Sequence, residues 1–387
     1  MAKKIPLAWN NLWHQPVRSG VAVVGVTFAA VLMFMQLGFL EAVKASATVI
    51  YDVLEFDICL RSRDYARFSD ARSFDQSRLV AAREIEGVAA AKPLWVGVLS
   101  WRNPQSGEPR AILTLGVPDG AAVFNEQSIQ GRVDRELVRP EAMLVDTHTR
   151  REFGPADGRK FGPADVGRLV EINQQELEIA GLYTCGSGLN AGGAVIANER
   201  DFFRCVPQLV SDQASLGLID VAEGGDVYAV AERLRATLPE DVEVLTRGEV
   251  LETEIRHWVW DTNYGLIFQS GVLVAVVVGT AIVYQVLASE VTSRMPEYAT
   301  LKAIGYDNLY LVRVMVEQSL CLALAAFLAS WAIAAVLYQI TAVGAQIPIR
   351  MTWQNLLLVL GLTAALCVVS GVAAIRKAYR ADPAELF

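Results

Sequence analysis

Three histidines, five cysteines and one glycine-rich run are the residues of this 387-residue sequence whose types could hold a metal, act as a nucleophile or cradle a phosphate. His14, His148 and His257 are too far apart to form H-E-x-x-H or to complete a Cys/His zinc site, and no G-x-S-x-G turn presents a serine. The run "CGSGLNAGG" (185–193) spaces its glycines as G-x-G-x-x-x-G, which is not the dinucleotide fingerprint, and reads as a flexible tip loop. Neither G-x-x-x-x-G-K-[ST] nor any Gly-Lys dipeptide occurs, so the chain carries no P-loop and any ATP must be hydrolysed by a partner. Cys321 and Cys367 sit in apolar runs as small fillers. Cys59, Cys185 and Cys205 lie in polar sequence, and a Cys185–Cys205 disulfide is left open.

A different kind of signal comes from "MPEYATLKAIGYDN" (295–308), a polar stretch between two very hydrophobic runs. Pro296 suits the first turn of a helix, Glu297 its positive end, and Gly305 its stop. The helix so bounded has about three turns, too few to be stable alone, and spaces Tyr298, Leu301 and Ile304 along one side. It needs support from lipid headgroups or from a groove on a cytoplasmic protein, and the groove is the sharper reading.

The flanking elements explain why such a helix must lean on something. The sequence is 53% hydrophobic yet 20% charged with net charge −8, an average of two materials. Residues 19–40, 265–288, 318–340 and 355–374 are each long and apolar enough to cross a bilayer. The first span reads as a retained anchor, since no convincing small-residue cleavage site follows it. Lys3, Lys4 and Arg18, then Arg294, Lys302 and Arg313, then Arg376, Lys377 and Arg380 put both termini and the 295–308 stretch in the cytoplasm, against Arg350 alone on the short outer turn. Residues 44–263, with 24 basic and 35 acidic side chains, are exported, and their acidity argues against nucleic acid. Gln36, Gln269, Gln285 and Gln318 fall in the spans without any charged residue near mid-depth, which argues against an ion path between these helices. Ala325 with Ala329, and Ala326 with Ser330 and Ala334, offer small-x-x-x-small packing, and Arg313 with Glu317 forms a local i,i+4 pair.

The expected fold class is an α-helical membrane protein: four transmembrane helices, the first two extended as stalks outside the bilayer, with an α+β exported domain carrying a β-rich insert. Val43, Ala47, Ile50 and Leu54 continue the first helix as an amphipathic stalk. Thr246 and Glu249 stand at capping-box spacing, followed by Val250 or Leu251, Ile255 and Trp258 or Val259 on one face. From Thr246 to Ser289 an unbroken helix would run about 65 Å; a break at Asn263 to Gly265 is the alternative. "DQSRLVAAREIEGVAAAKPL" (75–94) and "GDVYAVAERLRATLPEDVEVL" (225–245) repeat one helix–strand pattern, which implies a core assembled from both ends of the exported segment. Between them "AMLVD", "GRLVEI" and "LEIAGLY" mark a β-rich subdomain, and "FGPADGRK" (153–160) followed by "FGPADVGR" (161–168) reads as a duplicated exposed loop. The layout is then an amphipathic helix over 1–18, a span and stalk over 19–54, the exported domain over 55–245 with its insert over 125–205, and a stalk and second span over 246–289. A cytoplasmic segment over 290–313, spans over 314–340 and 354–375 joined by an outer turn over 341–353, and a tail over 376–387 complete it.

"RMPEYATLKAIGYDN" (294–308) resembles the segment between spans two and three of the FtsX-like permeases, the MacB-type ABC transporter superfamily. "LAWNNLWHQPVRS" (7–19) and "AIRKAYRADPAELF" (374–387) resemble that group's opening helix and its Arg-rich, Asp-Pro-containing end, and "AAVLMFMQLGFLEAV" (29–43) is similar to the first span of DevC-type permeases. The resemblance implies a homodimer in the bacterial inner membrane, bound through a coupling helix to a cytoplasmic ABC ATPase that holds ATP and Mg, with no cofactor on this chain and no enzymatic activity of its own. It further implies a periplasmic membrane-fusion adaptor, an outer-membrane channel and a lipid-like or amphipathic cargo. Pro296 through Tyr298 and Leu301 through Gly305 become ATPase-coupling residues; Glu297, Leu301, Lys302, Ala303 and Gly305 match the motif, while Tyr298 departs from the smaller residue many relatives have. Two other branches share the plan: an FtsX-like regulator of a periplasmic hydrolase and a LolC-like lipoprotein-extracting permease.

Overall fold

The structure is a computed structural model that describes residues 16–155, 159–186, 188, 191–207, 212–293, 308–345 and 348–380. It divides into two units: Val43–Trp258, and Met1–Ala42 together with Val259–Phe387.

The second unit holds the apolar helices. Candidate spans run over Gly20–Val53, Gly265–Val286, Val312–Ala342 and Trp353–Ala374, within helices α1 (Pro16–Val53), α7 (Asn263–Ser293), α8 (Asn308–Ala345) and α9 (Trp353–Arg380). The chain is thus a multi-pass membrane protein. Helices in lipid gain little from apolar burial against each other, so close approach decides their packing. Ala326, Ser330 and Ala334 are all buried, whereas Ala325 of the parallel row is exposed, so only one of the two expected small-residue rows packs. Gly38 is required by contact: a Cβ there would stand 2.4 Å from Tyr338 Cζ, whose hydroxyl donates to the Phe34 carbonyl. Arg313 and Glu317 pair at 3.1 Å on the surface of α8.

In the Val43–Trp258 unit the two helix–strand repeats form as their periodicity predicts. Helix α2 (Ser77–Arg83) leads to β3 (Val88–Arg102), and α5 (Val227–Thr237) to β11 (Val242–Thr246). With β1 (Ile58–Ser62) and β10 (Leu216–Val221) they make an antiparallel sheet in the order β11-β1-β10-β3, a split β-α-β arrangement. Leu79 and Ala82 of α2 and Val230 and Leu234 of α5 bury against Ile58 and Ile219 of the sheet. Each leucine, valine or isoleucine so buried contributes roughly 1.5–3 kcal/mol.

The β-rich insert does not stand apart. β3 pairs with β10 through its first half and with β4 (Pro109–Val117) through its second, and the sheet continues through β8 (Ala194–Asn198), β5 (Ala142–Asp146), β7 (Gln175–Tyr183) and β6 (Leu169–Ile172). A bridge between Trp101 and Ile172 closes β6 back onto β3. The closed part therefore borrows β3 and β4 from outside the expected 125–205 boundary. Its strands are buried on both sides: Met143 and Val145 face the interior with Trp101, while Ala142 and Leu144 join the outer cluster.

Two further expectations change, and the cysteine pairing left open is decided. The tandem 153–168 repeat is anchored, not a free loop: Phe153 and Phe161 are both buried in the closed part, their rings 6.5 and 5.7 Å from Trp101, and buried Asp165 takes a bidentate pair from Arg159 at 3.0 and 3.1 Å. Cys185 and Cys205 are free thiols that pack in different clusters. The second stalk is not one rod: α6 (Arg247–Arg256) passes into a π-turn over His257–Asp261, and α7 begins at Asn263. A π-turn displaces a carbonyl from its helical donor. Here Gln269 Nε2 donates to Val259 O at 2.9 Å, and a Cβ on Gly265 would lie 1.8 Å from that oxygen. Gly265 is thus the residue that lets α7 approach the turn, and the interruption precedes it.

Candidate functional site

The Val43–Trp258 unit takes in the last turns of α1 and the whole of α6, and a set of organised polar groups gathers where the two meet. The last carbonyls of a helix lack intrahelical donors. For α1 the donor is Arg247, the first residue of α6: Nη1 donates to Leu54 O at 2.8 Å, and Nη2 to Tyr51 O at 2.9 Å and Asp52 O at 3.3 Å. A fixed cation at a helix C-terminus also meets the negative end of the helix dipole. Its guanidinium lies 4.9 Å from the Phe56 ring centre. Asn125 adds two bonds, Nδ2 to Asp52 O at 2.7 Å and its backbone N–H to Val53 O at 3.0 Å.

Arg247 is held in place by the start of its own helix. The capping box forms: Thr246 N donates to Glu249 Oε2 at 2.7 Å, and the Thr246 hydroxyl accepts from Glu249 N at 3.4 Å. Arg235 of α5 reaches the same carboxylate at 2.6 Å. Burial raises the Glu249 pKa, but the Thr246 bonds and the Arg235 charge outweigh it and hold the carboxyl below its usual range.

Two turns further along α6, Glu254 is 2% exposed. Its Oε1 accepts from Tyr65 Oη at 2.5 Å and from Tyr51 Oη at 3.3 Å, and the two phenols are 2.7 Å apart. Arg61 stacks 4.4 Å over the Tyr65 ring and pairs with Glu243 at 2.8 Å. Burial pushes the Glu254 carboxyl up, with the Tyr65 bond and the Arg61 charge opposing. Burial and the nearby Glu254 charge push Tyr65 well up, so it serves as a neutral donor.

The glycine-rich loop is the third support, and its glycines serve close approach. Asp146, 1% exposed at the end of β5, accepts from the backbone N–H groups of His148 at 2.9 Å, Cys185 at 3.3 Å and Gly186 at 2.6 Å. This sets Gly188, at φ +57°, against α1: a Cβ there would lie 2.0 Å from Ser46 O. Cys185 Sγ donates to Val49 O at 3.8 Å, and burial pushes its thiol up to about 12, away from the thiolate that nucleophilic chemistry needs.

The arrangement brings together no nucleophile and base, and among the described residues no three His, Cys, Asp or Glu side chains could hold a metal ion. What it does is brace the end of α1 by Arg247, Glu254, Asn125, Cys185 and Gly188. Pro296, Glu297, Tyr298, Leu301, Lys302, Ala303, Ile304 and Gly305 all lie outside the described residues. Sequence reasoning missed Arg247, Glu254, Tyr51 and Tyr65, whose contacts span 189 to 203 residues. One signal was available: Glu254 falls four residues after Val250, and the face expected to carry Ile255 instead buries Val250 and Glu254.

Residues 270–383 match the family model described as FtsX-like permease C-terminal. No curated protein matches the chain. Among solved structures, the extracellular domain of the noncanonic ABC-type transporter YknZ from Gram-positive bacteria aligns at 13% identity and TM-score 0.31, covering 49% of this chain and 99% of that one. The periplasmic region of MacB from Actinobacillus actinomycetemcomitans aligns at 10% identity and TM-score 0.34, covering 53% and 94%. Likenesses this weak carry no weight beside the family match. The C-terminal part of the chain thus matches the FtsX-like permease model, and four helices among the described residues are long and apolar enough to cross a membrane.

Proposed function

We propose that the protein is the membrane subunit of an ABC exporter of DevC type, which carries the motion of a separate cytoplasmic ATPase across the bacterial inner membrane. Both termini face the cytoplasm, and two copies associate. ATP and Mg belong to the ATPase, which grips Pro296 through Gly305. The exported unit passes motion to a periplasmic membrane-fusion adaptor and an outer-membrane channel, driving out a lipid-like or amphipathic cargo.

The observation that supports this reading is the tie between the two connections of the exported unit. Arg247 bonds three carbonyls around the end of α1, and Glu254 bonds Tyr51 of the same helix. A displacement entering along α1 is shared with α6 at once, as a unit driven from outside itself requires. Charge-assisted hydrogen bonds of this kind are stronger than neutral ones and fix geometry as well as energy.

Joint replacement of Tyr298, Leu301 and Ile304 by Asp tests the ATPase contact. Copurification of the ATPase in detergent is expected to be lost while the substituted chain still inserts and folds. Retained association contradicts the assignment of this segment. Copurification of a cell-wall hydrolase in place of an adaptor contradicts the export reading and leaves the coupling intact.

A further inference from the structure

Two tryptophans stand largely free of the protein where apolar helices begin. Trp260, in the π-turn, is 68% exposed, whereas Trp258 beside it is 8% exposed. Trp353, the first residue of α9, is 73% exposed. Candidate spans start at Gly265 and at Trp353 itself, so each indole lies where its chain becomes apolar enough for hydrocarbon. The outward faces that follow are aliphatic: Leu266 and Ile267 on α7, and Leu357 and Leu358 on α9, are all exposed. Two crossings, Gly265–Val286 and Val312–Ala342, separate the two indoles along the chain, so both emerge on the same side of the membrane.

A cation stands beside the second indole. Ile349 and Met351 pack inward with Ala42 and Tyr338, while Arg350 between them is exposed and has no carboxylate or hydrogen-bond partner among the described residues. Thr352 Oγ1 accepts from Asn355 N at 3.3 Å and fixes the first turn of α9. Arg350 is therefore carried on an anchored turn, three residues before Trp353.

We propose that Trp260, Trp353 and Arg350 form a contact for phospholipid of the leaflet on that side, the indoles lying in its ester zone and the Arg350 guanidinium on a lipid phosphate. An indole combines an apolar body with one N–H donor, which suits the layer between hydrocarbon and water better than either phase. A guanidinium offers two parallel donors to a phosphate. The occupant follows from continuity: the exposed leucines and isoleucine next to each indole need acyl chains, and the same lipids carry their headgroups to the level of the indoles and Arg350. The contact requires only the four spans and holds whether or not the protein exports anything.

The full chain is reconstituted in nanodiscs of phospholipid brominated either beside the ester or at the chain end. Its emission is compared with that of Trp260→Phe, Trp353→Phe and Trp331→Phe, so that each difference spectrum isolates one indole. Trp331, 44% exposed well inside the Val312–Ala342 span, is the internal control and should be quenched more by the deep bromine. Trp260 and Trp353 are expected to be quenched at least about twofold more by the shallow one. In solid-state NMR of the arginine-labelled chain, dephasing of guanidinium carbon by lipid phosphorus is expected to fall in Arg350→Gln. If a phenylalanine variant does not fold, a nitroxide on exposed Asn263 or Gln354 reads the depth in its place, with the same headgroup level expected. Deep or equal quenching of Trp260 or Trp353, a nitroxide depth outside the headgroup layer, or dephasing unchanged by Arg350→Gln each overturns the proposal.

Discussion

Glu254 costs the fold something at neutral pH. Burial raises its pKa in the folded protein above the unfolded value, so the native state binds the proton more tightly than the unfolded chain does. The stability this group adds is complete below the unfolded pKa and is lost as pH rises through the folded one. Glu254→Gln keeps an acceptor for Tyr51 and Tyr65 but cannot titrate, so thermal unfolding in detergent should lose part of its downward slope above about pH 4.3, the ordinary carboxyl value. Glu254→Leu removes the acceptor and should cost about 1–3 kcal/mol below the carboxyl's pKa, less as pH rises through it. Identical pH profiles for the Gln variant and the unsubstituted chain would show that the carboxyl is solvated. Arg247→Met deletes the donors and the guanidinium beside Phe56; about 1–3 kcal/mol and faster amide exchange across the end of α1 are expected, and unchanged exchange there would remove Arg247 from the brace.

Among the elements, the junction between α6 and α7 is where glycine chemistry separates two cases. Gly248, in the first turn of α6, has nothing within 4 Å of a would-be Cβ, and Gly248→Ala should stabilise by about 0.4–1 kcal/mol. Gly265→Ala meets the Val259 carbonyl and should destabilise, with loss of the Gln269 bond. Differential scanning of both variants reads the contrast directly; equal shifts would mean that α7 does not approach the π-turn so closely. The two helix–strand repeats were legible because each carries the 3.6-residue and two-residue periods in turn, and Thr246 with Glu249 announced the start of α6. The closure of β6 onto β3 and the pairing of β1 with β11 were not, since Ile58 and Thr246 meet across most of the unit and no local period encodes that. In the 185–193 run, composition does not distinguish a glycine that bends from one, like Gly188, that lets two backbones touch.

For the whole molecule, the spans were the easiest feature to read, as hydropathy over about 20 residues has few other causes in a folded chain. The sidedness of those spans follows only from lysines and arginines, and the transmission account depends on it entirely. It requires residues 296–305 to face the ATPase, on the side opposite the exported unit. Single cysteines placed at Tyr298, Leu301 and Ile304, in a chain whose five native cysteines are replaced, decide the matter with a membrane-impermeant maleimide. No labelling in intact spheroplasts, and full labelling once the membrane is inverted or permeabilised, is the predicted result. Labelling of those positions from outside intact spheroplasts would leave the ATPase nothing to grip and would contradict the account.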